Sequence, residues 1–308
     1  MADKITLIDT VNSPFCDEMM ARIGSIIDPA KIDYLISNHA EPDHAGALSE
    51  AIRLIRPEKV FANQMGVMAL NRNYGIDGIS MVTDGQTLSL GNRTLTFVET
   101  PMCHWPESMV CYLHDLNILF SQDGFGMHLA SYERFADMLD KHLLDEEASK
   151  YYANILLPLG SAVKMTLSII QELDLPIDII APDHGPAWRE NPMSIVQKYA
   201  SWAEQERSDR AIVVYDTMWG STDRMARAVG EGLAAGSARV RLMPLGGAHR
   251  SEIAAELLDA GALLVGAPTL NSEMYPSVAD VLTYIKGLRP QGLVGAAFGS
   301  FGWSGEGA

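Results

Sequence analysis

The sequence predicts an α/β protein in two parts, and three observations carry that reading. Short β-rich runs alternate with amphipathic helical patterns along the whole chain. Strand candidates in the first part often come in pairs with turn signals between them, which points to two sheet layers covered by helices. From Ala211 onward the pattern becomes a strict alternation of strand and helix, the signature of a right-handed, doubly wound parallel sheet. A length of 308 residues suits two domains. The polar stretch Glu204 to Arg210 reads as their linker, giving an expected division at 1–206 and 210–308.

Taken in order, the first part opens on the apolar run Ile5 to Ile8 and an amphipathic stretch from Pro14 to Ile27. Strands follow at Asp33 to Ser37 and Lys59 to Asn63. Next come a pair joined at Gly91-Asn92 and a pair joined by His114 to Leu116, and a last strand spans Ile177 to Pro182. Helical patterns fill Ser131 to Asp174 and Pro192 to Glu206. In the second part, strands at Ala211 to Tyr215, Val240 to Leu245, Ala262 to Pro268 and Leu293 to Phe298 alternate with helices.

Composition removes several classes of function. With 47% apolar and 20% charged residues the chain is an ordinary globular protein. A net charge of -16, from 39 acidic against 23 basic side chains, repels a phosphate backbone, so no nucleic-acid partner is expected. No apolar run approaches the ~18 residues of a membrane span, so no membrane partner is expected either. Cys16, Cys103 and Cys111 form no CxxC pair, and their odd number fits a reduced cytoplasmic setting.

In the first part, four strand candidates each lead into residues of metal-ligating type. They are His39-Ala40-Glu41-Pro42-Asp43-His44, then His104, then Asp123, then His184. Strand ends are rigidly held yet project into loops, where distant segments can converge. So many imidazoles and carboxylates exceed the needs of one ion with an open position, so two metals are expected, with Asp123 able to bridge them. Zinc favours His and Cys, whereas imidazoles mixed with several carboxylates suit iron.

These residues carry a resemblance. The cluster His39 to His44 is similar to the HxHxDH signature of the metallo-β-lactamase fold, with Glu41 replacing the second histidine. Together with His104-Trp105-Pro106, Ser121-Gln122-Asp123 and Asp183-His184-Gly185-Pro186, it resembles the flavodiiron proteins, also called A-type flavoproteins. The resemblance implies an αββα sandwich followed by a flavodoxin-like domain. It places His39, Glu41 and His104 on one iron, Asp43 and His184 on the other, and Asp123 between them. His44 matches a position whose ligation varies among relatives.

In the second part, Thr217-Met218-Trp219-Gly220-Ser221-Thr222 joins the first strand to its helix. Such a hydroxyl-rich loop at a helix N-terminus suits a single phosphate monoester. It matches neither GxGxxG nor a Walker loop. Pro268-Thr269-Leu270-Asn271 with Tyr275 follow the third strand, and Ser300-Phe301-Gly302-Trp303-Ser304-Gly305 the fourth. Aromatics at these loops can stack on an isoalloxazine at the switch point of the sheet. Together the loops resemble FMN sites of flavodoxin-like domains.

The family likeness implies reduction of O2 to water, of NO to N2O, or both. It also implies a rubredoxin or similar donor and a head-to-tail homodimer. Two rival readings stand beside it: a dinuclear-metal hydrolase of the lactamase fold, and a flavodoxin-like electron carrier with a structural metal domain. The second part shows only four strand candidates and the first opens directly on a strand, so the chain is expected to be truncated at both ends.

Overall fold

The computed structural model describes residues 3–303 and 307. Two compact units divide the chain, 1–144 with 161–197 and 145–160 with 198–308. The units thus interleave along the sequence, whereas the polar linker suggests a linear seam at 206–210. The segment 145–160 belongs with the second unit because its aromatics pack there. The Tyr152 ring sits 5.0 Å from that of Tyr199 and 5.2 Å from that of Trp202.

In the first unit, a four-stranded parallel sheet has the order β1-β2-β3-β4, from Thr6–Ile8 (β1), Tyr34–Ile36 (β2), Lys59–Asn63 (β3) and Ser80–Val82 (β4). Helices Cys16–Gly24 (α1), Pro42–Ala45 (α2), Leu48–Ile55 (α3) and Gln64–Tyr74 (α4) connect these strands. The period-two alternation of strands decides what each face touches. Leu35 and Val60, paired in register, point at Leu48, Ile55 and Leu70 of the helical layer. Ile36 and Phe61, the next pair, point at Leu95, Phe97 and Met109 of a second sheet. Truncating the buried Phe61 to alanine would cost about 3–5 kcal/mol.

That second sheet has five strands in sequence order: Thr87–Ser89 (β5), Thr94–Glu99 (β6), Met109–Leu113 (β7), Ile118–Gln122 (β8) and Ile179–Pro182 (β9). The pairs from β5 to β8 are antiparallel, and β9 joins β8 in parallel. The Gly91-Asn92 and His114-to-Leu116 connections fall where the sequence places them. The strand β4, which carries only three residues, was not anticipated.

The helical expectation for Ser131 to Asp174 holds only in its later part. Helices run over Lys141–Ile155 (α5) and Gly160–Glu172 (α6), separated by a short turn containing Pro158. Before them a short 3-10 turn spans Ala136–Met138, and ahead of it the chain is held extended, because Ala136 donates its backbone N–H to the Ala187 carbonyl at 2.9 Å and Ala187 to that of Arg134 at 2.9 Å. Helix Met193–Glu204 (α7) follows, within the span read from the sequence.

The second unit has the parallel order β11-β10-β12-β13, from Arg210–Tyr215 (β10), Arg239–Pro244 (β11), Ala262–Pro268 (β12) and Val294–Ser300 (β13). Helix Ser221–Ala235 (α8) packs Ala226, Val229 and Leu233 on one face, against Val213 and Tyr215. Helices Arg250–Glu256 (α9) and Pro276–Leu288 (α10) pack Ile253, Val281 and Ile285 on the other, together with Leu257 just after α9, against Ile212 and Val214. This is the doubly wound arrangement read from the strict alternation, and order reverses between β10 and β12. Among the described residues, no single helix is long and apolar enough to cross a membrane.

Candidate metal centre and flavin loops

The strands of the first unit deliver their ends to one place. The loop after β2 carries His39 and Glu41, and α2 carries Asp43 and His44. The loop after β6 carries His104, the residue after β8 is Asp123, and the loop after β9 carries His184. His39, His44 and Asp123 are almost fully buried.

Asp123 lies at the centre, and its two oxygens face different neighbours. Oδ2 is 2.9 Å from His104 Nε2 and 3.3 Å from His39 Nε2. Both imidazole nitrogens also lie 3.1 Å from Glu41 Oε2. On the other side, Oδ1 is 3.0 Å from His44 Nε2 and 3.3 Å from His184 Nε2. Asp43 Oδ2 completes that side at 3.1 Å from His184 Nε2 and 3.7 Å from His44 Nε2. Among the described residues, the donor atoms of His39, Glu41, His104 and Asp123 lie within 4.8 Å of one another, as do those of Asp43, His44 and His184, and His44 also groups with Asp9 and Asp183.

The electrostatics follow from that geometry. Burial pushes the Asp123 carboxyl up, but hydrogen bonds from His104, His184 and His44 outweigh it and hold the group far below the carboxylate range. Hydrogen bonds from His104 and His39 lower Glu41 to about 2. Burial opposes charge on His104, yet its bonds to Asp123 and Glu41 raise it to about 9. Burial likewise opposes charge on His44, but Asp123 and Asp183 lift it to about 11. Four imidazoles facing three carboxylates, with Asp43 Oδ1 buried and lacking a hydrogen-bond partner, form a donor set that fits two cations of oxygen and nitrogen preference.

The backbone is bent to make this possible. Asp9, Met102 and Gln122 adopt left-handed conformations at φ of 54°, 64° and 47°, an uncommon choice for residues with a side chain. Gln122 holds the turn by donating Nε2 to the Cys103 carbonyl at 2.7 Å and accepting the Asp123 N–H at 2.9 Å. Gly185, at φ of 80°, admits the Met127 side chain, whose Cγ a Cβ would meet at 2.7 Å.

Three supporting residues escaped the sequence reading. Glu107 Oε1 lies 3.0 Å from His39 Nδ1. Asp9 Oδ1 accepts the Asn38 N–H at 2.8 Å, and Tyr74 donates its hydroxyl to the Ala40 carbonyl at 2.9 Å. Asp183, quoted as part of a motif, places Oδ2 2.9 Å from His44 Nδ1.

In the second unit, Met218, Trp219, Ser221, Pro268, Thr269, Ser300, Phe301 and Gly302 line one cleft at the carboxyl ends of β10, β12 and β13. Gly220, at φ of 79°, turns the chain into α8, whose first residues carry no side-chain cap. Their free N–H groups fit a phosphate. Trp219 is 89% and Trp303 102% exposed, so both offer ring faces to a ligand. Thr217 accepts the Gly220 N–H at 3.0 Å, and the buried Thr222 bonds Ser300 Oγ at 2.9 Å. Leu270 and Asn271 lie in a small reversal closed by Leu270 and Glu273, on the loop that continues from Thr269, and Tyr275 precedes α10. Ser304 and Gly305 lie outside the described residues.

Family comparison agrees with both halves of this geometry. The model of the ODP family beta lactamase matches residues 1–185, and that of flavodoxin matches 213–308. A nitric oxide reductase of Moorella thermoacetica is 44% identical over 98% of this chain and 76% of its own. The solved rubredoxin oxygen:oxidoreductase from Desulfovibrio gigas superposes with a TM-score of 0.95 at 43% identity, covering 99% of this chain and 77% of that one. This chain belongs to the flavodiiron protein family. The flavodiiron protein from Giardia intestinalis, at 34% identity and a TM-score of 0.93 over 98% of this chain and 74% of its own, shares the fold. As a flavodiiron protein, the chain pairs a lactamase-like sandwich with a flavodoxin-like sheet, as its sequence predicts.

Proposed function

We propose that this flavodiiron protein is an oxidoreductase that reduces O2 to water, NO to N2O, or both, at two iron ions fed through FMN. The observation that carries the reading is the two-sided placement of Asp123 between His39, Glu41 and His104 on one side and Asp43, His44 and His184 on the other. Bound there, two ferrous ions and one reduced FMN supply four electrons in all, enough for O2, and the irons alone supply the two that couple a pair of NO molecules.

The chain's own residues set the conditions for this chemistry. Asp123 fixes the separation of the two positions through its two oxygens, while Glu41 and Asp43 add one negative charge to each side. His44 joins the second position in this reading, since its Nε2 faces the same Asp123 oxygen as His184. Trp105 sets its ring edge-on to His39, with centroids 5.3 Å apart. In the second unit, the α8 N-terminus would take the FMN phosphate, with Trp219 and Trp303 flanking the ring system.

The unit of 1–144 with 161–197 serves as the metal module, and the unit of 145–160 with 198–308 as the flavin module. A rubredoxin-type donor, a head-to-tail homodimer and a cytoplasmic setting complete the proposal. Its test begins with iron and flavin counts on purified protein, followed by anaerobic reduction and separate exposure to O2 and NO. Consumption of either gas by the reduced protein supports the reading. Zinc in both positions with lactam or thioester turnover replaces it with a hydrolase.

A further inference from the structure

The two metal positions differ in how their buried histidines are held, and the difference centres on a residue with no ligand role. Glu107 follows His104 by three places in the turn between β6 and β7, and it is 4% exposed. Its own carbonyl accepts the Asn63 side-chain N–H at 2.9 Å, and Asn63 in turn caps α4 by accepting the Gly66 N–H at 2.8 Å. The Glu107 carboxylate is therefore anchored from behind. In front, Oε1 accepts the Ala40 N–H at 3.1 Å and lies 3.0 Å from His39 Nδ1.

A carboxylate has no proton to give, so the shared proton belongs to Nδ1 of His39. That leaves Nε2, which faces Glu41 and Asp123, with a lone pair for a cation. His39 is fully buried and its ring is packed against Trp105, so rotation of the ring cannot restore this arrangement once the anchor is lost. The corresponding support on the other side, Asp183 to His44 Nδ1, comes from a carboxylate whose side chain is 24% exposed. Water can stand in for Asp183 far more readily than for Glu107.

We propose that Glu107 is the positioning residue of the metal position formed by His39, Glu41 and His104: it fixes the proton on His39 Nδ1 and so presents Nε2 to the ion. This rests on the two-metal reading above. One turn thereby serves the position twice, with His104 as a donor and Glu107 as the support of another donor.

The test titrates chelator-stripped full chain with Fe(II) or Co(II) under anaerobic conditions, for wild type, Glu107→Ala and Glu107→Gln. Long-range 1H–15N spectra of zinc-loaded, histidine-labelled protein then read the tautomers. Wild type should take up two ions and show His39 protonated at Nδ1. Glu107→Ala should bind one ion as wild type does and the other about 10–100-fold more weakly, with the His39 signature lost and flavin content unchanged. Glu107→Gln keeps an acceptor at the same place, so it should show a smaller loss at the same single position. Two ions bound at wild-type affinity by Glu107→Ala with an unchanged tautomer would overturn the assignment while leaving the two-metal reading intact. Uptake of fewer than two ions by wild type would overturn both. Should Glu107→Ala fail to fold, Glu107→Gln decides alone: weakened binding of one ion with unchanged circular dichroism supports the assignment, and wild-type binding overturns it.

Discussion

The metal centre and the flavin loops solve the problem of holding a cofactor in opposite ways. In the first unit the side chains are buried or half-buried, face one another within about 3 Å, and bring charge of both signs to one carboxylate. In the second unit the proposed contributions are N–H groups of a helix start and the exposed rings of Trp219 and Trp303, spread over two loops. A site made of interlocked side chains concentrates its energy in few residues, whereas one made of backbone and ring faces distributes it. Single substitutions should therefore be severe in the first unit and mild in the second.

The largest effect is expected at Asp123. Asp123→Ala removes the carboxylate shared by both metal positions, so iron content should fall to near zero and gas consumption with it. Flavin content should stay at the wild-type level, since the flavin loops belong to a unit with its own core. Leaving four imidazoles around an empty place also destabilises the stripped protein, by about 3–5 kcal/mol, measurable by urea unfolding. Full iron content in this variant would remove the contrast between the two sites.

The second expectation concerns pH and the stripped protein. Glu41 is held near 2 against an ordinary value of 4.5, so its contribution is complete above 4.5 and disappears as pH falls toward 2. His104 and His44 are raised to about 9 and 11 from 6.5, so theirs is complete below 6.5 and disappears as pH rises through 9 and 11. Stripped protein should thus be most stable between 4.5 and 6.5 and lose stability on both sides. Ions displace the imidazole protons, so loading should release protons and move the optimum upward. Urea midpoints from pH 3 to 10, with and without metal, measure this; a stripped protein steadiest at alkaline pH would contradict the paired arrangement.

Much of this contrast was legible in the sequence, for physical reasons that also explain the gaps. His39, Glu41, Asp43, His104, Asp123 and His184 stand just beyond apolar runs, and strand ends are where side chains can converge. Glu107 gives no such sign: an acidic residue in a turn is ordinarily solvated, and only the fold buries this one under His39. The flavin loops are legible as segments, because each follows a strand of the alternating pattern. The helical pattern across Ser131 to Arg134 failed because pairing with Ala187 outweighs local propensity.

A moderate effect is expected for Trp219→Ala. The ring is 89% exposed and contributes little to packing, so stability should be unchanged. Aromatic stacking is worth about 0.5–1.5 kcal/mol, which is a weakening of FMN binding of about 2- to 12-fold. Fluorescence titration of flavin-stripped protein measures it. A loss as total as that of iron from Asp123→Ala would mean that the flavin site, too, depends on a single side chain.

The smallest effect is expected at Thr222, where two roles can be separated. Its hydroxyl is fully buried and bonds Ser300 Oγ at 2.9 Å, tying the start of α8 to the end of β13. Thr222→Val keeps the shape and removes that bond, so the second unit should lose about 0.5–1.5 kcal/mol. FMN affinity should fall only a few-fold, because the loop still presents its N–H groups. Thermal unfolding followed at Trp219 and flavin titration together distinguish the outcomes. A drop in affinity well beyond tenfold, with stability unchanged, would place the Thr222 hydroxyl on the ligand and make this one position of the flavin site behave like the metal centre.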